Sequence, residues 1–287
     1  MTPVLPPATV AKLARLRLGG RRRVEGRFSG AHASRRFGSS LDFADYREYV
    51  AGDDPRHVDV HAYARLGKRL IKLFDAEDEA ALRVVVDLSA SMGFGRKLET
   101  ARQVAAALAV VATGSGDRVR VLLAADAVDP GPWFRGGAAL PAVDQRLAAA
   151  TAAGTADLVA ALARAVGDGP RGPVILVSDL LFDGWPDVLD ALALGRADTC
   201  LVHLLARDDI EPALDGDLRL ADAESGAEVE VALAAGTLAD YTDTARRWMG
   251  QVSQACGTRG IAYARLVDDE SLEDFLLAGL PAAGVLA

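Results

Sequence analysis

The run Asp87-Leu88-Ser89-Ala90-Ser91 places three oxygen-bearing side chains at i, i+2 and i+4, directly after a short β-branched stretch. On a loop leaving a strand, that spacing can turn all three towards one point. Gly154-Thr155, at the predicted opening of a helix, and Ser178-Asp179, at the end of another apolar run, offer the same chemistry. Two carboxylates and three hydroxyls are hard oxygen donors, which suit Mg2+ or Mn2+ and suit Zn2+ poorly. Few of these donors are charged, so an ion held by Asp87, Ser89, Ser91, Thr155 and Asp179 stays electrophilic and keeps some water. An Asp or Glu from a protein partner can then replace a water and complete the octahedron. Each element alone has a plainer explanation: a helix cap at Ser91 or Thr155, a strand-end turn at Asp87 or Asp179. Their order along the chain favours one shared site. Asp183, just before Gly184, is an alternative to Asp179 for the last role.

Such a site needs strands that end at one rim. Residues 82–87, 118–124, 174–177, 199–205 and 261–267 read as strands, with an edge strand near Trp133. Helical spacing is clear over 97–113, where Leu98, Ala101, Val104, Ala105, Leu108 and Ala112 recur, and over 155–166, 185–195 and 238–255. Ser271 caps a last helix with Asp274 three residues on. Residues 218–220 and 229–233 flank Glu224-Ser225-Gly226 as a small β-hairpin insertion. The alternation predicts an α/β domain with a doubly wound, mostly parallel, Rossmann-like sheet. In such sheets ligands gather outside the carboxyl ends of the strands.

The chain has 287 residues, 51% hydrophobic, 25% charged and 6% aromatic, enough for a sizeable core and too apolar for wholesale disorder. Its charge is lopsided. Residues 1–74 carry 15 Lys or Arg against 7 Asp or Glu, while the remainder carries 17 against 33. Arg21, Arg22, Arg23 and Arg27 suggest a nucleic-acid arm. Interspersed Asp42, Asp45, Glu48, Asp53, Asp54 and Asp59 argue against one, and for a basic extension lying on an acidic domain. The longest apolar run, 104–112, is too short to cross a bilayer, so no transmembrane segment is expected and only peripheral membrane contact stays open. Cys200 and Cys256 lack CxxC spacing and read as reduced thiols, which with no secretory signal points to a cytoplasmic protein. The expected organisation is a basic segment over 1–28 that frays, an extension over 29–80 packed on the domain, and the α/β domain over 81–287. His32, His57 and His61 have no standard zinc spacing and read as hydrogen-bonded structural residues.

Asp87 to Ser91, followed by Thr155 and Asp179, resembles the metal-ion-dependent adhesion site (MIDAS) of von Willebrand factor type A domains. The resemblance covers roughly residues 80–280. It implies that Ser89, Ser91 and Thr155 contact the ion while Asp87 and Asp179 act through water. Ala153-Gly154-Thr155 replaces the usual double-glycine lead, and Ser178-Asp179-Leu180 replaces a Thr-Asp-Gly turn. The extension carries a narrower likeness. Ser29 to Ser34, Gly38 to Phe43, Arg47 to Asp59 and Ala62-Tyr63-Ala64-Arg65 resemble the bacterial domain of unknown function 58 family. That resemblance implies an adaptor that works beside a MoxR-type AAA+ ATPase.

The chain lacks a G-x-S-x-G elbow and a G-x-x-x-x-G-K-[ST] loop, and its G-x-G-x-x-G run at 167–172 follows a helical stretch and precedes a strand, the reverse of a dinucleotide fingerprint. The D-x-S-x-S loop also lacks the second Asp of an aspartyl-phosphate hydrolase. The expectation is therefore a non-enzymatic adaptor that binds an acidic residue of a protein partner through the ion. Alternatives are a scaffold whose metal site is degenerate and, behind it, a Mg2+-dependent phosphoryl hydrolase.

Overall fold

A computed structural model describes residues 3–19, 43–50, 53, 58–74, 80–167, 172–195, 198–224, 226–232 and 236–287. The chain divides into two compact units, residues 23–79 and residues 1–22 with 80–287. Arg21 to Arg23, Arg27, His32, His57 and most of the family-like stretches of the extension lie outside the described residues.

The larger unit opens with α1 (Pro7–Leu13). The smaller unit contains β1 (Phe43–Glu48), α2 (Val60–Leu66) and β2 (Leu70–Phe74), with β1 and β2 antiparallel. Asp59 caps α2 by accepting from the amides of His61 and Ala62, and also accepts from Tyr46 Oη at 2.8 Å. Arg47 forms a two-pronged pair with Asp53 at 2.8 and 3.0 Å.

The rest of the larger unit alternates strand and helix. In order come β3 (Ala81–Asp87), α3 (Lys97–Gly114), β4 (Arg118–Ala124), β5 (Val128–Asp129) and β6 (Trp133–Arg135). There follow α4 (Leu140–Ala149), α5 (Leu158–Gly167), β7 (Val174–Ser178), α6 (Trp185–Ala193), β8 (Thr199–Leu205) and α7 (Arg207–Ile210). Then come β9 (Asp217–Ala221), β10 (Glu228–Ala232), α8 (Thr237–Thr258) and β11 (Ala262–Val267). The seven-stranded sheet runs β11-β8-β7-β3-β4-β5, with β6 also on β4. Its four inner pairings are parallel, and only β5 and β6 join antiparallel. The molecule is thus a mixed α/β protein with a mainly parallel central sheet. β9 and β10 form the expected hairpin apart from it.

Alternate side chains of β3 enter different cores, as strand geometry requires. Val84 and Val86 pack with α3 and α4, whereas Val85 packs with α5, α6 and α8. The helix after β3 therefore packs on one face of the sheet and the helix after β7 on the other.

Part of the first segment packs on the larger unit's core. Leu5, Leu13 and Leu18 are buried in the core shared with α3, and Leu18 bridges Leu286. Arg17 and Ala287 exchange backbone hydrogen bonds at 2.9 Å in both directions. The apolar side chains at 5, 13 and 18 give this segment enough surface to bury. Ser271 caps the last helix as expected, accepting from Asp274 N at 3.2 Å. Among the described residues no helix is long and apolar enough to cross a membrane.

Candidate metal centre

Asp87 ends β3 and Asp179 follows β7, and these strands are parallel neighbours with Val86 opposite Val177. Adjacent strands ending at one level bring two buried carboxylates to the same rim. Asp87 is 1% exposed. Its Oδ2 accepts from Ser178 Oγ at 2.5 Å and its Oδ1 from Ser89 N at 2.8 Å. Both donors are neutral, so they orient the carboxylate without cancelling its charge. Burial, with the nearby charge of Asp179, pushes its pKa up to about 6 against those hydrogen bonds.

Ser89 and Ser91 face each other, Oγ to Oγ 3.1 Å. Adjacent ligands of an octahedral Mg2+ lie roughly 2.9 Å apart, so this pair matches one edge of such a shell. The Thr155 loop is tied to the same turn, because Ala90 N donates to Gly154 O and Ala153 N to Leu88 O. Thr155 itself does not open a helix: α5 begins at Leu158, where Asp157 Oδ1 accepts from Ala160 N. A better capping residue thus starts the helix three positions later. The exposed Thr155 instead donates its amide and hydroxyl to Asp126 Oδ1 at 3.1 and 3.2 Å. Gly154, at φ +63°, keeps this turn open, since a side chain there would strike the Asp126 carboxylate.

Asp179 is differently engaged. Lys97, the first residue of α3 and fully buried, donates to Asp179 Oδ2 and to Asp209 Oδ2, each at 2.8 Å. Burial alone would lower the lysine pKa, but the two carboxylates outweigh it and the pKa is raised, so the ammonium stays charged. Asp179 Oδ1 accepts from Leu181 N. Beneath it, buried His203 bonds Asp179 O through Nε2 at 3.0 Å, which makes Nε2 the protonated nitrogen. Its Nδ1 then accepts from Tyr263 Oη at 2.9 Å. Burial pushes the His203 pKa down to about 4. Leu180 holds φ +51°, a conformation costing roughly 1 kcal/mol in a residue other than glycine, and keeps its side chain wholly buried. Asp183 lies exposed in the turn before α6.

The five predicted donors therefore divide. Asp87, Ser89 and Ser91 form one directly bonded cluster and the Thr155 loop is stitched to it, while Asp179 faces a resident ammonium. Among the described residues no group of three His, Cys, Asp or Glu gathers for a metal. Any ion here would depend on hydroxyls. Sequence reasoning missed Lys97, Asp209 and Asp126. One local signal was available for the lysine: a cation at a helix N-terminus opposes the helix dipole and needs a reason.

Asp87 and His203 titrate with opposite effects. The folded state holds the Asp87 proton more tightly than the unfolded chain does, so between pH 3.8 and about 6 stability falls as pH rises. His203 binds its proton less tightly when folded, so between about 4 and 6.5 stability rises with pH. The two nearly cancel. Asp87→Asn should therefore raise metal-free stability at pH 7.5 by about 3 kcal/mol and unmask an acid-side loss of similar size below pH 6.5. Urea titrations from pH 4 to 8 check both; a variant less stable than wild type at pH 7.5 would refute the first.

A mixed α/β domain with an oxygen-rich cluster at its strand ends is the class that fold and site define. Residues 45–249 match the family model described as "Protein of unknown function DUF58", and the chain belongs to that family. Proteins of Mycobacterium bovis and Mycobacterium tuberculosis, each described as uncharacterized, are 28% identical over 264 residues, covering 88% of this chain and 83% of theirs. Among solved structures, the conserved hypothetical protein BatB from Bacteroides thetaiotaomicron is 13% identical, covering 71% of this chain and 98% of that one at a TM-score of 0.45. An aerotolerance-related membrane protein from Bacteroides fragilis is 15% identical with the same coverage and a TM-score of 0.44.

Proposed function

We propose that this chain is a protein-binding adaptor whose von Willebrand A-like, doubly wound domain captures an acidic partner residue through a divalent ion. The observation that carries this reading is the Ser89–Ser91 hydroxyl pair, 3.1 Å apart beside a carboxylate that, among the described residues, only neutral donors reach. Ser89, Ser91 and Thr155 would supply neutral donors and Asp87 the charge. When bound, Mg2+ or Mn2+ supplies an electrophilic position for a carboxylate. The chain's own residues orient that position: Ser178 and the Ser89 amide fix Asp87, and Asp126 fixes Thr155. A MoxR-type AAA+ ATPase as partner belongs to the same proposal and rests on the family likeness, and a cytoplasmic setting is proposed on the two free, buried cysteines, Cys200 and Cys256. Phosphoryl transfer is less well supported, because Asp87 is buried and both its oxygens already accept hydrogen bonds.

The Lys97–Asp179 pair favours a second reading, a scaffold in which the ammonium has replaced the ion. Calorimetric titration with Mn2+ separates the two. The adaptor reading expects weak saturable binding that Asp87→Ala with Ser89→Ala abolishes while circular dichroism stays native. Binding unchanged in that double variant would place the ion elsewhere, and no binding in wild type would favour the scaffold.

A further inference from the structure

We infer that Lys97 is a built-in cation of the rim that weakens divalent-ion binding and, in return, strengthens capture of a carboxylate by the ion once it is bound. The inference rests on the ion-dependent reading above and adds a determinant of its specificity. Lys97 bridges the ends of two strand connections: Asp179 follows β7, and Asp209 lies in α7 after β8. The bridge is closed on its other sides. Phe94 lies with its ring centroid 5.7 Å from the ammonium, and Asp209 Oδ2 also accepts from Ala206 N at 2.8 Å. Tyr241 Oη donates to the Asp209 carbonyl at 3.0 Å, which ties this bridge to α8.

The charge arithmetic then sets the consequence. Four carboxylates gather around the rim, Asp87, Asp179, Asp209 and the Asp126 that holds Thr155, and Lys97 is the ammonium that pairs with two of them. With the ammonium in place an ion-loaded rim is one charge less negative than without it, so an incoming carboxylate is repelled less. The ammonium also lies 2.8 Å from Asp179, where it lowers the attraction for any added cation. In a buried rim these effects are poorly screened. Affinity for the ion and affinity of the ion for its ligand therefore trade against one another through one side chain.

The test uses the full chain, Mn2+ as the ion and acetate as the carboxylate probe. Lys97→Met should bind Mn2+ more tightly, on the order of tenfold, and should lose the tightening of Mn2+ binding that acetate gives wild type. Asp209→Asn covers the case where the methionine variant does not fold. It leaves the ammonium paired to Asp179 alone, makes the rim less negative, and should weaken Mn2+ binding several-fold. Wild type that binds Mn2+ together with a folded Lys97→Met variant of equal or weaker affinity would overturn the role of Lys97 and leave the ion site standing. Equal affinity of Asp209→Asn and wild type would do the same. Binding by Lys97→Met but not by wild type would uphold the opposing charge and remove the ion from the function of the native chain. Absence of binding in wild type and in a folded Lys97→Met variant would remove both.

Discussion

Lys97→Ala lowers the unfolding free energy of the α/β unit by about 3–5 kcal/mol, the range for breaking a buried ion pair by removing one partner. The expected cost lies at this level because two carboxylates lose their counter-ion at once. Asp179 has a side chain only 1% exposed and Asp209 one 11% exposed, so water cannot replace the ammonium at either without rearrangement. Asp87 shares the rim and adds repulsion. All three tryptophans, Trp133, Trp185 and Trp248, lie in the larger unit, so their fluorescence in urea follows that unit alone. Adding Asp179→Asn to Lys97→Ala should restore part of the loss, because one of the two charges that lost the ammonium is then gone. A single variant within about 1 kcal/mol of wild type would show that the bridge contributes little.

The second large effect belongs to the first helix. Leu13→Ala should cost about 2–5 kcal/mol, as for other fully buried leucines, and deletion of residues 1–19 should cost more. Leu13 is 0% exposed and shares its core with α3, the helix that begins at Lys97. The deletion also exposes the groups that Arg17 and Gly19 bond at Ala287 and Val285. The same tryptophan signal reads both variants. A frayed segment would leave Leu13→Ala within about 0.5 kcal/mol of wild type.

The contrast between these two regions and the sheet shows what a sequence can record. Continuous apolar runs such as Val84-Val85-Val86 and Val174-Ile175-Leu176-Val177 state both strand identity and burial on two faces, because a strand alternates its side chains between the faces. The strands over 118–124 and 199–205 fall where the runs put them. The polar residue that ends such a run must sit at the rim, so the positions of Asp87 and Asp179 at neighbouring strand ends were legible too. Helix α4 was not. No helical spacing was read over 140–149, although proline in a first turn is compatible with a helix and Val143 and Leu147 are its buried side. Helix α1 was hidden for a related reason: its apolar positions are sparse, and only the core beside α3 gives them something to bury against.

Residue types and spacing by themselves determined the parallel strand order's raw material, the hairpin and the gathering of oxygen donors near one loop. The tertiary structure alone decided how those donors are spent. Lys97 meets Asp179 and Asp209 across separations of 82 and 112 residues, and Thr155 meets Asp126 across 29. No local period encodes such pairs. They form because burial makes an unpaired charge or hydroxyl costly, and the partner is whichever group the packed sheet brings within about 3 Å of it.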